Sequence, residues 1–352
     1  MTLANAPELS VVVPTYNRAP DLRRALTSLR AQSCAADRFE IIVVDNDSID
    51  DTRRVVETLS IAPPIVRYLH ERRRGVSYAR NAGTAAARAP LVAFLDDDVE
   101  AAPTWVARII DTFASHPAID CLGGRIDGRF ACYPPPWFSQ LHWGPVALQA
   151  EKGPTRLLDA DRASACLMTA NFACRRTALH EVGGFSPAFQ RDEDRELQLR
   201  LWAAGKHGLY VPDVIVTTCV PPERLTKAYH RRFHRRTGAA HARMRYRDRI
   251  DRDGRLVSEN EGRATLFGTP GFLYRELMMH LVRLIACTAT AGPDERFYRE
   301  TRLLYLLSYI STRFRDERHS LWRIHAEVLR FGKQALRERR TALPSWDAAS
   351  GD

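Results

Sequence analysis

The sequence predicts an α/β protein in which a mostly parallel sheet lies between helices, followed by a helical C-terminal region. Four apolar segments are each followed by a segment with helical periodicity, and a fifth apolar segment closes the series. Strands that alternate with helices in this way form a parallel sheet covered on both faces. Three of the apolar segments end in polar residues, and ligands bind such sheets at the carboxyl ends of the strands. The same edge of the sheet is therefore the predicted ligand site.

The predicted strands are short runs of apolar residues, as expected for strands that are buried on both faces. They are residues 9–14, 40–45, 65–69, 91–95 and 119–126. The helices between them are predicted from apolar residues that recur every three or four positions. Pro20 and Asp21 begin the first helix. In the second, Val55, Val56 and Leu59 follow Asp50, Asp51 and Thr52, and the third covers residues 77–89.

Three adjacent aspartates, Asp96, Asp97 and Asp98, follow the fourth predicted strand directly. Adjacent carboxylates repel one another and resist desolvation, so a fold that gathers them at the end of a buried strand usually places a cation there. The alternative is a solvated acidic turn before the next helix, which Pro103 begins. For Asp97 we expect a side chain turned toward solvent rather than a metal ligand.

Composition restricts the class of protein further. The chain has 352 residues and seven scattered cysteines, which we expect to be reduced core residues. No stretch approaches the roughly 18 to 20 apolar residues of a membrane span, and the N-terminus lacks a signal-peptide pattern, so we expect a cytoplasmic protein. The net charge of +10 is densest between Arg224 and Arg255. Because no nucleic-acid recognition motif accompanies it, we expect a phosphate-bearing partner other than nucleic acid.

Several short motifs occur in a fixed order along the first two-thirds of the chain. They are VVPTYNR at 12–18, VVDNDSID at 43–50, GVSYARNAG at 75–83, FLDDD at 94–98, GGF at 183–185 and ED at 193–194. This series resembles the motifs of family 2 glycosyltransferases, which have the GT-A fold. The resemblance implies a GT-A catalytic domain over residues 1–240, with a nucleotide-binding half (1–127) and an acceptor-binding and catalytic-base half (128–240). We predict a helical extension over residues 241–343 and a disordered tail over 344–352.

The resemblance also implies the activity. It indicates an inverting, metal-dependent hexosyltransferase-type enzyme that moves a sugar from a nucleoside diphosphate donor, expected to be UDP, to a hydroxyl acceptor. Cell-surface polysaccharide or glycolipid synthesis is the expected context, with a carbohydrate or lipid-linked acceptor. The alternatives are a catalytically inactive sugar-nucleotide-binding relative and a basic nucleic-acid-binding protein, which would leave Asp45, Asp98 and Asp194 without a purpose.

The first three motifs assign the donor site by resemblance. Asp45 accepts the imide proton of uracil, or alternatively caps the following turn. The rest of the uridine pocket is assigned to Pro14, Thr15 and Asn17. Arg80 reaches the nucleotide, or alternatively pairs with the acidic run and neutralises it. Asp47 stands where the family often has glycine, which leaves the geometry of that turn open.

The metal site is assigned to the outer two aspartates of the acidic run. Asp98 is the principal ligand of Mn²⁺ or Mg²⁺, and Asp96 binds the ribose or a metal-bound water. Many relatives place a histidine near the metal, where this chain has Thr218 or Cys219.

An acceptor hydroxyl needs a general base, since its own proton is held too tightly at neutral pH. Asp194 matches the second residue of the family's Glu-Asp pair and is the predicted base, and Glu193 orients the site or binds acceptor. The alternative is a charged first turn that interacts favourably with the helix dipole.

Three further regions carry predictions. Trp137 and Trp143 lie in a proline-rich loop and are predicted to bind acceptor, with packing of the loop as the alternative. The basic segment after the catalytic core assigns Arg231 and Arg235 to the donor diphosphate. From residue 267 onward, apolar residues alternate with arginines, which predicts helices that pack on the catalytic domain or lie on the inner face of an anionic membrane.

Overall fold

The computed structural model describes residues 6–60, 63–251, 253–257, 264–286 and 291–316, with residues 328, 330, 331 and 334. Its contacts divide the chain into two compact units. The first is Met1–Thr226 with Arg252–Leu256, and the second is Lys227–Asp251 with Val257–Asp352. The predicted domain boundary after residue 240 falls inside a helix of the second unit, Lys227–Arg243. The predicted tail over residues 344–352 and Cys287 lie outside the described residues.

The first unit is built on one mixed sheet. Its strands are β1 (Leu9–Thr15), β2 (Phe39–Asp45), β3 (Ile65–His70), β4 (Leu91–Phe94), β5 (Val99–Ala101), β6 (Cys121–Phe130), β7 (Arg156–Leu158), β8 (Phe172–Arg175) and β9 (Gly208–Val220). The strand order is β3-β2-β1-β4-β8-β6-β9-β5, and β7 pairs with β9. The predicted fold class, a mainly parallel sheet flanked by helices, is confirmed.

The sheet is less uniform than the sequence suggests. Strands β3, β2, β1 and β4 are parallel neighbours, as predicted. The fifth predicted strand, β6, is not the next neighbour, because β8 lies between β4 and β6 and runs antiparallel to both. β8 has only four residues, FACR, and this short run gives no distinctive signal in the sequence.

The helices of the first unit cover both faces of the sheet. They are α1 (Ala19–Arg30), α2 (Thr52–Leu59), α3 (Val76–Ala86), α4 (Trp105–Ser115), α5 (Arg176–Glu181) and α6 (Glu193–Ala203). Apolar residues of α1, α2 and α4 share one buried cluster with Val11 and Val13 of β1. Successive strand residues point to opposite faces, and Val12 of β1 packs instead near Gly83 of α3. A Cβ at Gly83 would lie 2.3 Å from Val12 Cγ1, so only glycine lets α3 approach the strands this closely.

The long segment after β6 is largely irregular, as the sequence predicts. It contains short 3₁₀ helices at Gln140–His142, Gly144–Val146 and Ala160–Arg162, besides the three-residue strand β7. One residue of this segment, Ala147, has a left-handed backbone conformation with φ 56°.

The second unit is mostly helical. It contains α7 (Lys227–Arg243), α8 (Tyr246–Arg249), the small hairpin β10 (Thr265–Leu266) and β11 (Thr269–Pro270), α9 (Gly271–Ala286) and α10 (Pro293–Asp316). Its core is formed by Ala242, Leu273, Tyr305, Leu306 and Tyr309, with Phe272 and Leu277 packed against them. Among the described residues, no helix has both the length and the hydropathy needed to span a membrane.

Candidate active site

A cleft of about 630 Å³ opens at the carboxyl ends of β1, β2 and β4. The register of the sheet places Thr15, the last residue of β1, beside Asp45, the last residue of β2. The residues that line the cleft are Pro14, Thr15, Tyr16, Arg18, Asn46, Arg74, Gly75, Val76, Ala79, Arg80, Asp96, Asp97, Asp98, Val99, Ile126, Ala147, Ala170, Thr218 and Arg224. A cleft therefore lies at the edge of the sheet where the sequence predicts a ligand site, and the acidic run lines it.

Each aspartate of the acidic run contacts arginine. Arg80 Nη2 donates to Asp96 Oδ1 at 2.9 Å, and Arg18 Nη1 lies 3.2 Å from Asp97 Oδ1. Asp98 Oδ2 is shared between Arg18, at 3.0 Å, and Arg224 Nη2, at 3.1 Å. Three guanidinium groups from distant parts of the first unit thus balance the three carboxylates.

Burial also acts on the acidic run. Desolvation raises the pKa of the Asp96 carboxyl despite its ion pair with Arg80. Asp97 is only 6% exposed, so the expectation that its side chain turns toward solvent is wrong. Burial raises the pKa of Asp97 to about 7, with the charge of Arg18 acting in the opposite direction.

Asp45 is buried and both of its carboxylate oxygens have protein partners. The Tyr68 hydroxyl donates to Oδ2 at 2.7 Å, and the Ser48 backbone N–H donates to Oδ1 at 2.8 Å. Burial, with this bond to Asp45, raises the pKa of Tyr68 to about 12. The bond from Ser48 is the turn cap that the sequence leaves open as an alternative, and a carboxylate has further lone pairs for a base N–H. The role of Asp45 toward uracil stays a prediction.

Asn17 and Ser48 connect the loops that follow β1 and β2. Asn17 Oδ1 accepts from the Ile49 backbone N–H at 2.8 Å, and the Asn17 backbone N–H donates to Ser48 Oγ at 2.9 Å. Asn17 therefore joins the segments after β1 and β2. Asp47 has φ 71°, so it adopts the glycine-like conformation of the turn, and its carboxylate pairs with Arg74 at 3.1 Å.

The predicted base lies at the start of α6. Glu193 Oε1 accepts from Arg80 Nη1 at 2.6 Å, which joins this helix start to the lining of the cleft. Asp194 Oδ1 accepts from the Arg195 backbone N–H at 2.8 Å. Burial raises the pKa of Asp194 to about 7, and the like charges of Glu193 and Asp192 add to this effect. A carboxylate with this pKa is suited to accept a proton at neutral pH.

Thr218 and Cys219 are the two residues at which the resemblance leads us to expect a histidine, and Thr218 lies in the cleft. It is 2% exposed, lines the cleft and pairs across the sheet with Val99, the residue that follows Asp98. Cys219 is not among the lining residues. Within the part of the chain that the structure describes, no three His, Cys, Asp or Glu side chains form a ready-made metal site.

The two predicted acceptor-binding tryptophans differ in burial. Trp137 is 8% exposed and makes edge-on ring contacts with Phe138 and His142, which matches the packing alternative. Trp143 is half-buried, and its carbonyl accepts from the backbone N–H of Leu148. Ala147, next along this loop, lines the cleft. The loop therefore reaches the site through its backbone, and acceptor binding by the tryptophans stays a prediction.

The two predicted diphosphate-binding arginines belong to the second unit. Arg231 Nε donates to Glu300 Oε1 at 2.6 Å, and the carbonyl of Arg235 accepts from Ser308 Oγ at 2.7 Å. Their role toward a diphosphate stays a prediction. Sequence reasoning did not single out Arg18, Arg74 or Arg224, although Arg18 lies inside the VVPTYNR motif.

The model for glycosyl transferase family 2 matches residues 10–183 of this chain. Validoxylamine A glucosyltransferase of Streptomyces hygroscopicus subsp. jinggangensis is 42% identical over 113 residues, which is 32% of this chain and 26% of that protein. This chain therefore spans about a quarter of that relative's length.

Solved structures show the same fold. Mannosyltransferase PcManGT from Pyrobaculum calidifontis, in complex with GDP-Man and Mn²⁺, aligns with a TM-score of 0.56 and 21% identity over 88% of each chain. S. aureus TarS 1–349 in complex with UDP aligns with a TM-score of 0.52 and 18% identity, over 84% of this chain and 90% of that one. These neighbours are GT-A glycosyltransferases, which establishes the GT-A fold here.

Proposed function

Since residues 10–183 of this chain are a family 2 glycosyltransferase domain, we propose that it transfers a sugar from a UDP-sugar donor to a hydroxyl acceptor with inversion at the anomeric carbon. A single observation carries the proposal. The cleft that opens at the strand ends contains the Asp96–Asp98 run, and Arg80 connects this run to the Glu193–Asp194 pair. A donor-binding feature and a general base are thus parts of one connected arrangement.

The first half of the arrangement suits a nucleoside diphosphate. Arg18, Arg74 and Arg224 line the cleft, and the planar guanidinium matches phosphate oxygens. Asp45 stands at the nucleoside end, where its carboxylate accepts the imide N–H of uracil in this proposal. The solved complexes of neighbours with UDP and with GDP-Man support a nucleotide-sugar donor.

The residues present fit a divalent metal in part. Asp98 and Asp96 offer carboxylate oxygens, which are hard donors of the kind that Mn²⁺ and Mg²⁺ prefer. Asp98 and Asp96 would hold the ion together with oxygens of the diphosphate. When bound, such an ion offsets the negative charge that develops on the leaving diphosphate. Thr218 adds no strong ligand beside Asp98, so this chain's own ligand set is small.

The second half of the arrangement supplies the proton acceptor. Asp194 takes the proton of the acceptor hydroxyl as that oxygen attacks the anomeric carbon, and the bond to the diphosphate breaks on the opposite side. One base and one displacement invert the anomeric centre. The raised pKa of Asp194, about 7, makes it a stronger base than an ordinary aspartate while leaving a useful ionised fraction at neutral pH.

The acceptor belongs, in this proposal, to cell-surface polysaccharide or glycolipid synthesis. Helix α9 supports contact with an anionic membrane, because Met278, Val282 and Ile285 are 54%, 58% and 66% exposed. Arg275 and Arg283 are exposed on the same helix. Apolar side chains flanked by arginines suit the boundary between headgroups and acyl chains.

Titration calorimetry tests the donor proposal. UDP, GDP and dTDP are each titrated with MnCl₂ and again with EDTA, and UDP with MnCl₂ is expected to bind tightest. Equal affinity for the three nucleotides would contradict the role of Asp45. Binding that is indifferent to EDTA would contradict the metal.

A further inference from the structure

The side chain of Arg80 contacts both the acidic run and the start of α6. Its Nη2 donates to Asp96 at 2.9 Å and its Nη1 donates to Glu193 at 2.6 Å. The two carboxylates are 16 and 113 residues away from Arg80 in sequence. The guanidinium also lies over the Phe185 ring, 5.4 Å from its centroid.

The surroundings of Arg80 fix it in place. Its side chain is 3% exposed, and a buried guanidinium is stable only when opposite charges surround it. Asp96 and Glu193 supply those charges, so moving Arg80 away would leave a largely buried Glu193 and a half-buried Asp96 without this partner. This differs from Arg18, which is 43% exposed and contacts Asp97 and Asp98 from the open side.

The start of α6 places several acidic side chains close together. Asp192, which precedes the helix, has a left-handed backbone with φ 57°. The first turn then carries Glu193, Asp194 and Glu196, three like charges in close succession. Glu196 is paired with Arg200 on its own helix, whereas Glu193 is paired with Arg80 on α3. Glu193 therefore ties the first turn to α3, while Arg195 and Gln198 tie it to Ser164 and Leu167.

Asn81, the residue after Arg80 on α3, binds a second segment, GGF at 183–185. Asn81 Oδ1 accepts from the Phe185 backbone N–H at 2.8 Å, and Asn81 Nδ2 donates to the Phe185 carbonyl at 2.7 Å. Gly184, with φ 69°, leaves room for this amide, because a Cβ there would lie 2.7 Å from Asn81 Oδ1. Two consecutive residues of α3 thus bind the two segments, GGF and ED, that surround the base.

We infer that Arg80 is a positioning residue that aligns Asp194 with the donor by holding Glu193 and Asp96 at once, rather than a ligand of the nucleotide. The inference rests on the proposed function for the identity of the base and the donor. A displacement of about 1 Å at a reacting group can cost roughly 100-fold in rate, so loss of this alignment is expected to appear in kcat.

Arg80→Lys is the main test variant, because it keeps the positive charge and removes the planar fork that bridges two carboxylates. Arg67→Lys is the matched control, since Arg67 also pairs with a buried glutamate, Glu40, at 2.9 Å, and neither residue lines the cleft. The measurements are the Kd of UDP with MnCl₂, the hydrolysis of UDP-glucose, and amide hydrogen exchange of the full-length protein. Arg80→Lys is expected to lower kcat about 30- to 100-fold and to change the Kd of UDP less than about 3-fold.

Amide exchange keeps the inference testable without a donor. Arg80→Lys is expected to raise exchange over residues 192–197 and to leave helix α4 unchanged, whereas Arg67→Lys is expected to change neither segment. Adding Glu193→Gln to Arg80→Lys should lower kcat little further, because both changes remove one interaction. A wild-type protein that binds no UDP would contradict the proposed function, and the exchange result would still decide the role of Arg80.

Two results would overturn the inference. One is a Kd of UDP that rises about 10-fold or more in Arg80→Lys with kcat unchanged, which would make Arg80 a nucleotide ligand. The other is exchange over residues 192–197 that equals that of the Arg67→Lys control.

Discussion

Replacing the predicted base, Asp194→Asn, is expected to make the protein more stable at alkaline pH while it loses activity. The pKa of Asp194 in the folded protein is about 7, compared with 3.8 for the free side chain. Each pKa difference of one corresponds to 1.36 kcal/mol, so ionising Asp194 costs the folded state at most about 4 kcal/mol. Because the side chain is half-buried rather than enclosed, we expect about 2 kcal/mol.

The direction of this stability change with pH follows from the number of protons bound by the folded and unfolded states. Above pH 7 the carboxylate is ionised in both states, and the folded protein bears the full cost. Between pH 7 and pH 4 the folded state takes up a proton that the unfolded state lacks, so the cost disappears as the pH falls. Asparagine never carries the charge. The melting temperature of Asp194→Asn should therefore exceed that of the wild type by about 5 °C at pH 8.5 and match it near pH 4.5.

The same variant separates the two interpretations of this helix start. A charged first turn that interacts with the helix dipole contributes about 0.3 to 1 kcal/mol of stability, so its removal would lower the melting temperature. Scanning calorimetry from pH 4.5 to pH 9, with UDP-sugar turnover on the same samples, measures both properties. Turnover is expected to fall roughly 100-fold. A variant that melts lower than the wild type at pH 8.5 would refute the assignment of a buried base.

Three further predictions concern pH, metal and membrane. The turnover of the wild type should fall about 10-fold per pH unit below pH 7, as Asp194 becomes protonated, and a rate independent of pH between 5 and 7 would contradict a base of this pKa. Asp98→Asn should weaken UDP binding about 10-fold or more with MnCl₂ and little with EDTA, measured by calorimetry. Val282→Glu should abolish binding to anionic liposomes at low salt in a flotation assay. The control Tyr133→Glu changes a residue of the first unit that is 96% exposed, and it should bind as the wild type does. Equal binding by both variants would exclude helix α9 as the contact.

Local pattern was sufficient to predict the first half of the sheet. Residues 9–14, 40–45 and 65–69 form β1, β2 and β3 within one residue at each end. The residues of β1 and β2 are all buried, and buried parallel strands have largely apolar sequences. The edge strand β3 is partly exposed and contains Arg67. The four residues of β8 are too few for such a signal, and their insertion between β4 and β6 depends on pairing across the whole sheet.

The sequence predicted where the cleft lies, but it did not predict most of the ion pairs inside the cleft. The order of the motifs singled out the acidic run and the Glu193–Asp194 pair, which Arg80 connects in the structure. Burial of Asp97 and the sharing of Asp98 between Arg18 and Arg224 depend on residues about 80 to 126 positions apart. Periodicity and motif spacing carry no information on which of many arginines reaches a given carboxylate.

The side chain of Asn46 has a consequence for how the cleft recognises its ligand. Its amide nitrogen donates to the carbonyls of Glu71 and Arg73, at 3.0 and 2.7 Å, and its amide oxygen accepts from the Gly75 N–H at 2.8 Å. The turn that carries Arg74 to the cleft is therefore held by hydrogen bonds of the protein itself. A wall held in this way loses little conformational entropy on association, so in the proposed function discrimination among nucleotides depends on complementarity of shape and hydrogen bonds.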